Sequence, residues 1–201
     1  MTLRRRGLID IKRRDFLMAT AGLAGSMAFS VVGEAKNLID DYKLEKSVGE
    51  LLMENNFTVA TAESCTGGLL ASRLTDLAGA SNYVKGGVVA YTNEIKKSVL
   101  RVNAETLENF GAVSSQTALE MAKNVREIFK STFGLSTTGV AGPSTSEGKA
   151  VGTVFIAIAG ENFSEVKEFH FNGSRSEIKF QTADAAFELL MKHTTGGEAI
   201  D

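Results

Sequence analysis

Apolar residues recur along most of this chain at helical spacing or in short β-rich runs, and the two patterns alternate. Leu44, Val48, Leu51 and Leu52 share one face of a helix predicted over 44–55. Phe57 to Thr61 is short and β-rich, which predicts a strand. After Gly67-Gly68, the spacing of Leu69, Leu70, Leu74 and Leu77 predicts a helix. A buried strand is expected within Tyr83 to Tyr91, and helices over Asn93 to Leu100 and Asn103 to Phe110. Ser114 is placed to cap the clearest helix, in which Ala118, Met121, Ala122, Val125, Ile128 and Phe129 form one apolar stripe. Leu135 to Thr138 leads into a Gly loop, and a polar stretch runs on to Lys149. Val154 to Ala159 is nearly all apolar, as in a strand covered on both faces. Val166 to Phe171 alternates, Asn172-Gly173-Ser174 turns, and a last helix is expected from Ser176 to Lys192. Strands interleaved with helices imply an α/β sandwich with one mixed sheet. No internal repeat or interdomain linker interrupts the pattern after residue 36.

The first 35 residues differ. Arg4, Arg5, Arg6, Lys12, Arg13 and Arg14 precede Phe16-Leu17-Met18 and an uncharged stretch from Ala19 to Gly33, which ends at Gly33-Glu34-Ala35. A basic start, an apolar stretch and a small-x-small end describe an export signal. Lys12-Arg13-Arg14-Asp15-Phe16-Leu17 resembles the twin-arginine form, with Lys12 in place of the usual Ser/Thr and Met18 in place of the usual Lys. The stretch is rich in Gly and Ala and shorter than the about 20 residues of a comfortable membrane span. An uncleaved anchor and an extension unrelated to export are the alternatives. The division expected is a signal over 1–35 and one domain over 36–201. The precursor would engage the twin-arginine export machinery and act in the periplasm or beyond, the alternatives being a cytoplasmic or membrane-anchored protein.

Composition narrows the function. The 201 residues carry 22 Lys+Arg and 24 Asp+Glu, a net charge of −2, which argues against a protein that coats nucleic acid. One Cys and two His exclude an internal disulfide and a zinc finger, and disfavour a Cys/His metal cluster. With 43% hydrophobic residues, the chain can build a core without such staples. No GxGxxG opens a helix and no GxxxxGK[ST] occurs, so a dinucleotide or P-loop cofactor site is unsupported.

The most informative stretch is Ala62-Glu63-Ser64-Cys65-Thr66-Gly67-Gly68, where a strand should end and a helix begin. Free N–H groups there attract anions, and Gly lets a ligand approach the backbone. Ser64 is readable as a nucleophile with an oxyanion site beside it, or as an N-cap ahead of a Gly-Gly turn; residue type alone favours the cap. Cys65 is a competing nucleophile, but neighbours about 100° apart on a helix cannot both face one pocket squarely. Glu63 is readable as a base, as a substrate-orienting acceptor or as a structural hydrogen-bond partner. The only histidines, His170 in a strand and His193 near the C-terminus, read better as structural or surface residues than as the base a serine needs. Lys serves if burial lowers its pKa, and Tyr91 and Lys96 lie five residues apart at a strand-to-helix junction. Lys96-Lys97 on a helix otherwise reads as a solvated face. Thr137 to Pro143 is the second Gly loop and should border the same crevice as Ser64.

Five motifs then occur in one order: Ala62 to Gly68, Gly86 to Lys96, Gly111-Ala112-Val113-Ser114, Thr138-Gly139-Val140-Ala141-Gly142-Pro143, and Val151-Gly152-Thr153-Val154. Together they resemble the CinA C-terminal domain family, the nicotinamide-nucleotide amidohydrolases, over about Leu44 to Lys192. The resemblance implies a three-layer α/β/α sandwich. It implies hydrolysis of the carboxamide of nicotinamide mononucleotide to nicotinate mononucleotide and ammonia, without a metal or other cofactor; the alternatives are a non-catalytic nucleotide-binding or regulatory protein of the same fold and an amidase for a different substrate. Ser64, Tyr91 and Lys96 occupy the positions of the family's proposed catalytic Ser, Tyr and Lys. Glu63, Cys65, Thr66, Gly67, Gly68, Thr138, Gly139 and Gly142 are the expected substrate-binding residues. The partner is then a small nucleotide rather than nucleic acid, and apolar helix faces leave room for a homo-oligomer. One departure stands out. The family loop after Gly-Pro is usually Gly-rich and followed by Lys-Pro-Val-Gly-Thr, whereas here Ser144 to Ala150 reads Ser-Thr-Ser-Glu-Gly-Lys-Ala.

Overall fold

A computed structural model describes residues 43–195. The export signal and the domain boundary at residue 35 lie outside the described residues. Helix α1 (Lys43–Glu54) leads into β1 (Val59–Glu63), α2 (Leu69–Leu74) and, after a short 3-10 turn at Ala80–Asn82, β2 (Val84–Val89). Helices α3 (Asn93–Ser98), α4 (Ala104–Phe110) and α5 (Ser115–Phe129) follow, then β3 (Phe133–Gly139), β4 (Thr153–Ala159), β5 (Ser164–His170) and α6 (Arg175–Thr194). The sheet order is β2-β1-β3-β4-β5. Strand β1 runs parallel to both β2 and β3, whereas β3–β4 and β4–β5 are antiparallel, so the sheet is mixed.

Burial follows the position of each strand. Every residue of β1 and β4 is buried, because helices cover both faces of the sheet there. The edge strand β5 is mostly exposed and carries its charges outward, which also guards a free edge against pairing with another chain. Alternate side chains of β4 divide between two cores. Ile156 and Ile158 pack with Leu52 of α1 and with Ile178, Phe187 and Leu190 of α6. Phe155 and Ala157 pack with Ala118 and Ala122 of α5. Under the other half of α5, Met121 and Val125 meet Ala60 and Ala62 of β1. Each large buried side chain contributes ~2 kcal/mol relative to exposure. Helices α1, α2 and α6 thus form one layer and α3 to α5 the other, the expected three-layer α/β/α sandwich.

Helix α5 is the element most legible in the sequence. The Ser114 hydroxyl accepts from the Thr117 N–H at 3.2 Å, and Ala118, Met121, Ala122 and Val125 are buried. The stripe seats closely on β3 because Gly134 has no side chain: a Cβ there would lie 2.0 Å from the Ala122 carbonyl oxygen. The strand expected over 57–61 is displaced along the chain to Val59–Glu63. That shift puts Ser64 directly at the carboxyl end of β1. Because β1, β2 and β3 run in parallel, with Glu63 level with both Val89 and Thr137, the segments after all three strands meet at one end of the sheet. Open α/β sheets form their ligand crevices at such carboxyl ends.

Candidate active site

Three loops build the crevice. The Ser64 backbone N–H donates to the Thr137 carbonyl at 2.9 Å, tying the end of β1 to β3. On the other side, the Ala90 N–H donates to the Glu63 carbonyl at 2.8 Å and sets the start of the 90–92 turn. Thr92 then caps α3, its hydroxyl accepting from the Ile95 N–H at 3.3 Å. This short capped helix decides the fate of the lysine pair: Lys97 points to solvent, while Lys96 is 1% exposed. The Lys96 Nζ reaches back into the crevice, 2.9 Å from Ser64 Oγ and 2.9 Å from the Ala90 carbonyl oxygen. The solvated face expected of Lys96-Lys97 is therefore real for only one of the two.

That placement sets the chemistry. Burial lowers the Lys96 pKa below the ordinary 10.5, against weaker upward pulls from Cys65 and Glu147. A neutral amine here donates one N–H to the Ala90 carbonyl and offers its lone pair to the Ser64 hydroxyl proton. An ammonium must instead donate to both oxygens. The pair can therefore pass a proton between hydroxyl and amine, as activation of a weak nucleophile requires. Ser64 is not an N-cap. The residue at the start of α2 is Gly68, which has φ 97° and no capping side chain, and Gly67 has φ 63°. Two successive left-handed residues explain the Gly-Gly pair.

Glu63 does the capping instead. Its carboxylate, 1% exposed, accepts from the N–H groups of Gly68 (2.9 Å), Leu70 (3.0 Å) and Ala71 (2.8 Å) and from the Thr66 hydroxyl (2.7 Å). Thr66 also meets the Thr137 hydroxyl at 2.7 Å. Of its three sequence readings, Glu63 therefore takes the structural one: its charge satisfies the first turn of α2. The Gly68 N–H, expected to face a ligand, is spent on Glu63. Glu63→Ala should strip three N–H groups of their acceptor and cost about 3 kcal/mol. In a domain of this size that lowers the thermal midpoint by about 10 °C. A midpoint unchanged by the substitution, followed by circular dichroism, would contradict this role.

A pocket of about 250 Å³ opens over the Ser64–Lys96 pair. Of the expected residues, Ser64, Cys65, Tyr91, Lys96, Thr138 and Gly139 line it. Glu63, Thr66, Gly67, Gly68 and Gly142 do not. Tyr91 is 56% exposed at the mouth, and its hydroxyl accepts from Arg175 Nη2 at 2.7 Å. Arg175 Nη1 donates to the Gly142 carbonyl at 2.7 Å, so one guanidinium bridges Tyr91 and the 137–143 loop. Lys96 touches Ser64 directly rather than through Tyr91. Cys65 is 5% exposed, and burial pushes its thiol up to about 12, which keeps it protonated at neutral pH and removes the thiolate a cysteine nucleophile needs.

The pocket residues outside the expected set include the polar side chains of Asn93, Ser146, Glu147 and Arg175. The capping box of α6, in which Ser174 and Glu177 cap each other's backbone, could have located Arg175 on a first helical turn, though not over this crevice. Neither histidine lines the pocket. His170 pairs with Glu168 on β5, and His193 with Glu165, 2.6 Å away. Among the described residues, no group of three His, Cys, Asp or Glu is placed to hold a metal ion.

Known proteins share this sequence pattern and fold. The sequence model of the CinA C-terminal domain matches residues 41–194. A Desulforamulus reducens protein, named provisionally as competence-damage inducible, is 49% identical over 159 residues, 79% of this chain and 38% of that protein. A CinA-like protein of Fervidobacterium nodosum is 44% identical over 162 residues, 80% of this chain and 40% of that protein. The chain thus spans about 40% of the length of these curated relatives. Among solved structures, the competence/damage inducible protein CihA of Agrobacterium tumefaciens superposes with a TM-score of 0.72 at 40% identity, over 75% of this chain and 93% of that one. A CinA-superfamily protein of Klebsiella pneumoniae 700603 does so with a TM-score of 0.75 at 31% identity, over 77% and 98%. Ordered motifs, a mixed five-stranded sheet and a sequence match over three quarters of its length agree that this chain belongs to the CinA C-terminal domain family.

Proposed function

We propose that the chain is an amidohydrolase that converts nicotinamide mononucleotide to nicotinate mononucleotide and ammonia. The observation that carries this reading is the 2.9 Å contact between Ser64 Oγ and the Nζ of a buried lysine. A serine needs a base to attack an amide, and Lys96, its pKa lowered by burial, is the titratable group in contact with it.

In this scheme the Ser64 hydroxyl gives its proton to Lys96 as Oγ bonds to the carboxamide carbon. The carbonyl oxygen becomes an oxyanion. We assign its nearest donor to the Cys65 N–H, which adjoins the nucleophile. The C–N bond then breaks, and ammonia leaves with the proton returned by Lys96. An acyl ester on Ser64 remains. Water attacks it, Lys96 takes the water proton, and Ser64 leaves and is reprotonated as the acid forms. Tyr91 and Arg175 at the mouth hold the rest of the nucleotide, with Arg175 the cation suited to its phosphate. The basic, apolar start of the chain supports action outside the cytoplasm, on nucleotide that reaches that compartment.

The test is incubation of the full chain with nicotinamide mononucleotide. Ammonia and nicotinate mononucleotide should appear in equal amounts. A folded protein that binds the nucleotide and releases neither would overturn the reading in favour of a binding protein.

A further inference from the structure

The tip of the loop after Pro143 enters the pocket. Ser146 and Lys149 pair backbone to backbone, closing a tight turn whose central residues Glu147 and Gly148 have φ of 51° and 73°. Positive φ at both central positions is the mark of a type I′ turn, which favours Gly, Asn or Asp. A glutamate tolerates it poorly. The turn is held in place because the Glu147 carboxylate accepts from the N–H groups of Ala112 at 3.0 Å and Val113 at 2.9 Å. Gly111 makes room: a Cβ there would lie 2.4 Å from Glu147 Oε2. A left-handed backbone, two N–H donors and a missing side chain thus fix one carboxylate on the pocket wall.

Among the described residues, Glu147 is the one acidic residue lining this pocket, which it shares with Ser64, Lys96 and Arg175. It lines the same pocket wall as Lys96, and its charge pulls the amine's pKa upward, against the larger downward effect of burial. Once Lys96 is neutral and able to act as a base, the pocket holds one fixed negative charge, on Glu147, and one positive, on Arg175. Such a pocket fits a ligand that itself carries separated charges of both signs.

We propose that Glu147 is a specificity-determining residue that selects a positively charged ring beside the scissile carboxamide, Arg175 taking the anionic end. This rests on the amidohydrolase reading and adds to it the residue that recognises the ring's charge. Neutral aromatic amides of the same shape are discriminated against by charge.

The test compares two ligands that differ in ring charge: nicotinamide mononucleotide and its reduced dihydropyridine form, which keeps the amide, ribose and phosphate. Their dissociation constants are measured by titration calorimetry on the full chain carrying Ser64→Ala, so that neither is consumed, and again with Glu147→Gln added. The first protein should favour the charged ring by about tenfold, the scale of one ion pair in a partly solvated pocket. Glu147→Gln should bring the two ligands to within about twofold. The glutamine keeps an acceptor for the Ala112–Val113 edge, and a thermal melt checks that the loop variant is folded. An unchanged preference would overturn the proposal, as would equal weakening of both ligands, the result expected if Glu147 only anchors its loop. Failure of both ligands to bind the first protein would overturn the nucleotide assignment, and this proposal with it.

Discussion

Lys96→Met is expected to lower kcat for amide hydrolysis by ~10⁴-fold while the protein stays folded and still binds nucleotide, the scale seen when one member of a nucleophile–base pair is removed. Methionine matches the length and apolar stem of lysine, and the stem is what α3 buries. Only the Nζ is lost, and with it the acceptor for the Ser64 proton. The same residue predicts the direction of the pH profile. Lys96 acts as a base only when neutral, and burial lowers its pKa from 10.5. As pH rises through that lowered value, the fraction able to accept the proton grows, so kcat/KM rises and then levels off. The midpoint of the rise must lie below 10.5. Steady-state rates in overlapping buffers check this; a profile flat with pH, or a Lys96→Met variant with wild-type turnover, would contradict the assignment.

Ser64→Ala is expected to be as damaging, again ~10⁴-fold in kcat, because a pair that acts as a unit loses nearly everything with either member. Its structural cost should be small. Ser64 is held through its backbone N–H to Thr137, which alanine keeps, and its side chain caps no helix. The thermal midpoint should therefore stay close to that of the wild type, and binding of nicotinamide mononucleotide should survive. This separates Ser64 from its neighbours: Glu63→Ala loses stability, whereas Ser64→Ala loses chemistry. Measured ammonia release at the wild-type rate from Ser64→Ala would shift the search for a nucleophile elsewhere. Cys65 is poorly suited to that role, with its thiol pushed up to about 12.

The contrast between these two adjacent residues shows where the sequence stops being legible. Elements whose signal is local are readable. The Ser114 cap of α5, its stripe from Ala118 to Val125 and the apolar run of β4 each specify a local geometry that the structure keeps, whereas Ile128 is exposed and β5, at the sheet edge, does not alternate in burial. Glu63 is different. It caps α2 from the last residue of β1, five to eight positions ahead of the N–H groups it serves. Capping patterns place the acceptor immediately before the helix, so the acidic strand end is read as a ligand for substrate when it is a ligand for backbone. Lys96 fails for a related reason. Whether Lys96 or Lys97 turns inward depends on how the six-residue helix α3 sits against β1, and the serine it meets is 32 positions earlier. Glu147 and Arg175 are later still in the chain. Each belongs to a readable local feature, a polar turn and a capped helix start. Only the parallel order β2-β1-β3 and the docking of α6 bring them to one pocket.

In the proposed mechanism Ser64 carries the acyl group of the substrate between two proton transfers through Lys96. Capture with hydroxylamine tests it most directly. Added to the full chain turning over nicotinamide mononucleotide, hydroxylamine should compete with water for the ester. A share of the product should then appear as the hydroxamate, rising with hydroxylamine concentration, while the rate of ammonia release holds steady if acylation is the slow step. Steady ammonia release with nicotinate mononucleotide as the sole product at every hydroxylamine concentration would contradict a covalent intermediate. Lys96 would then be acting on water rather than on Ser64.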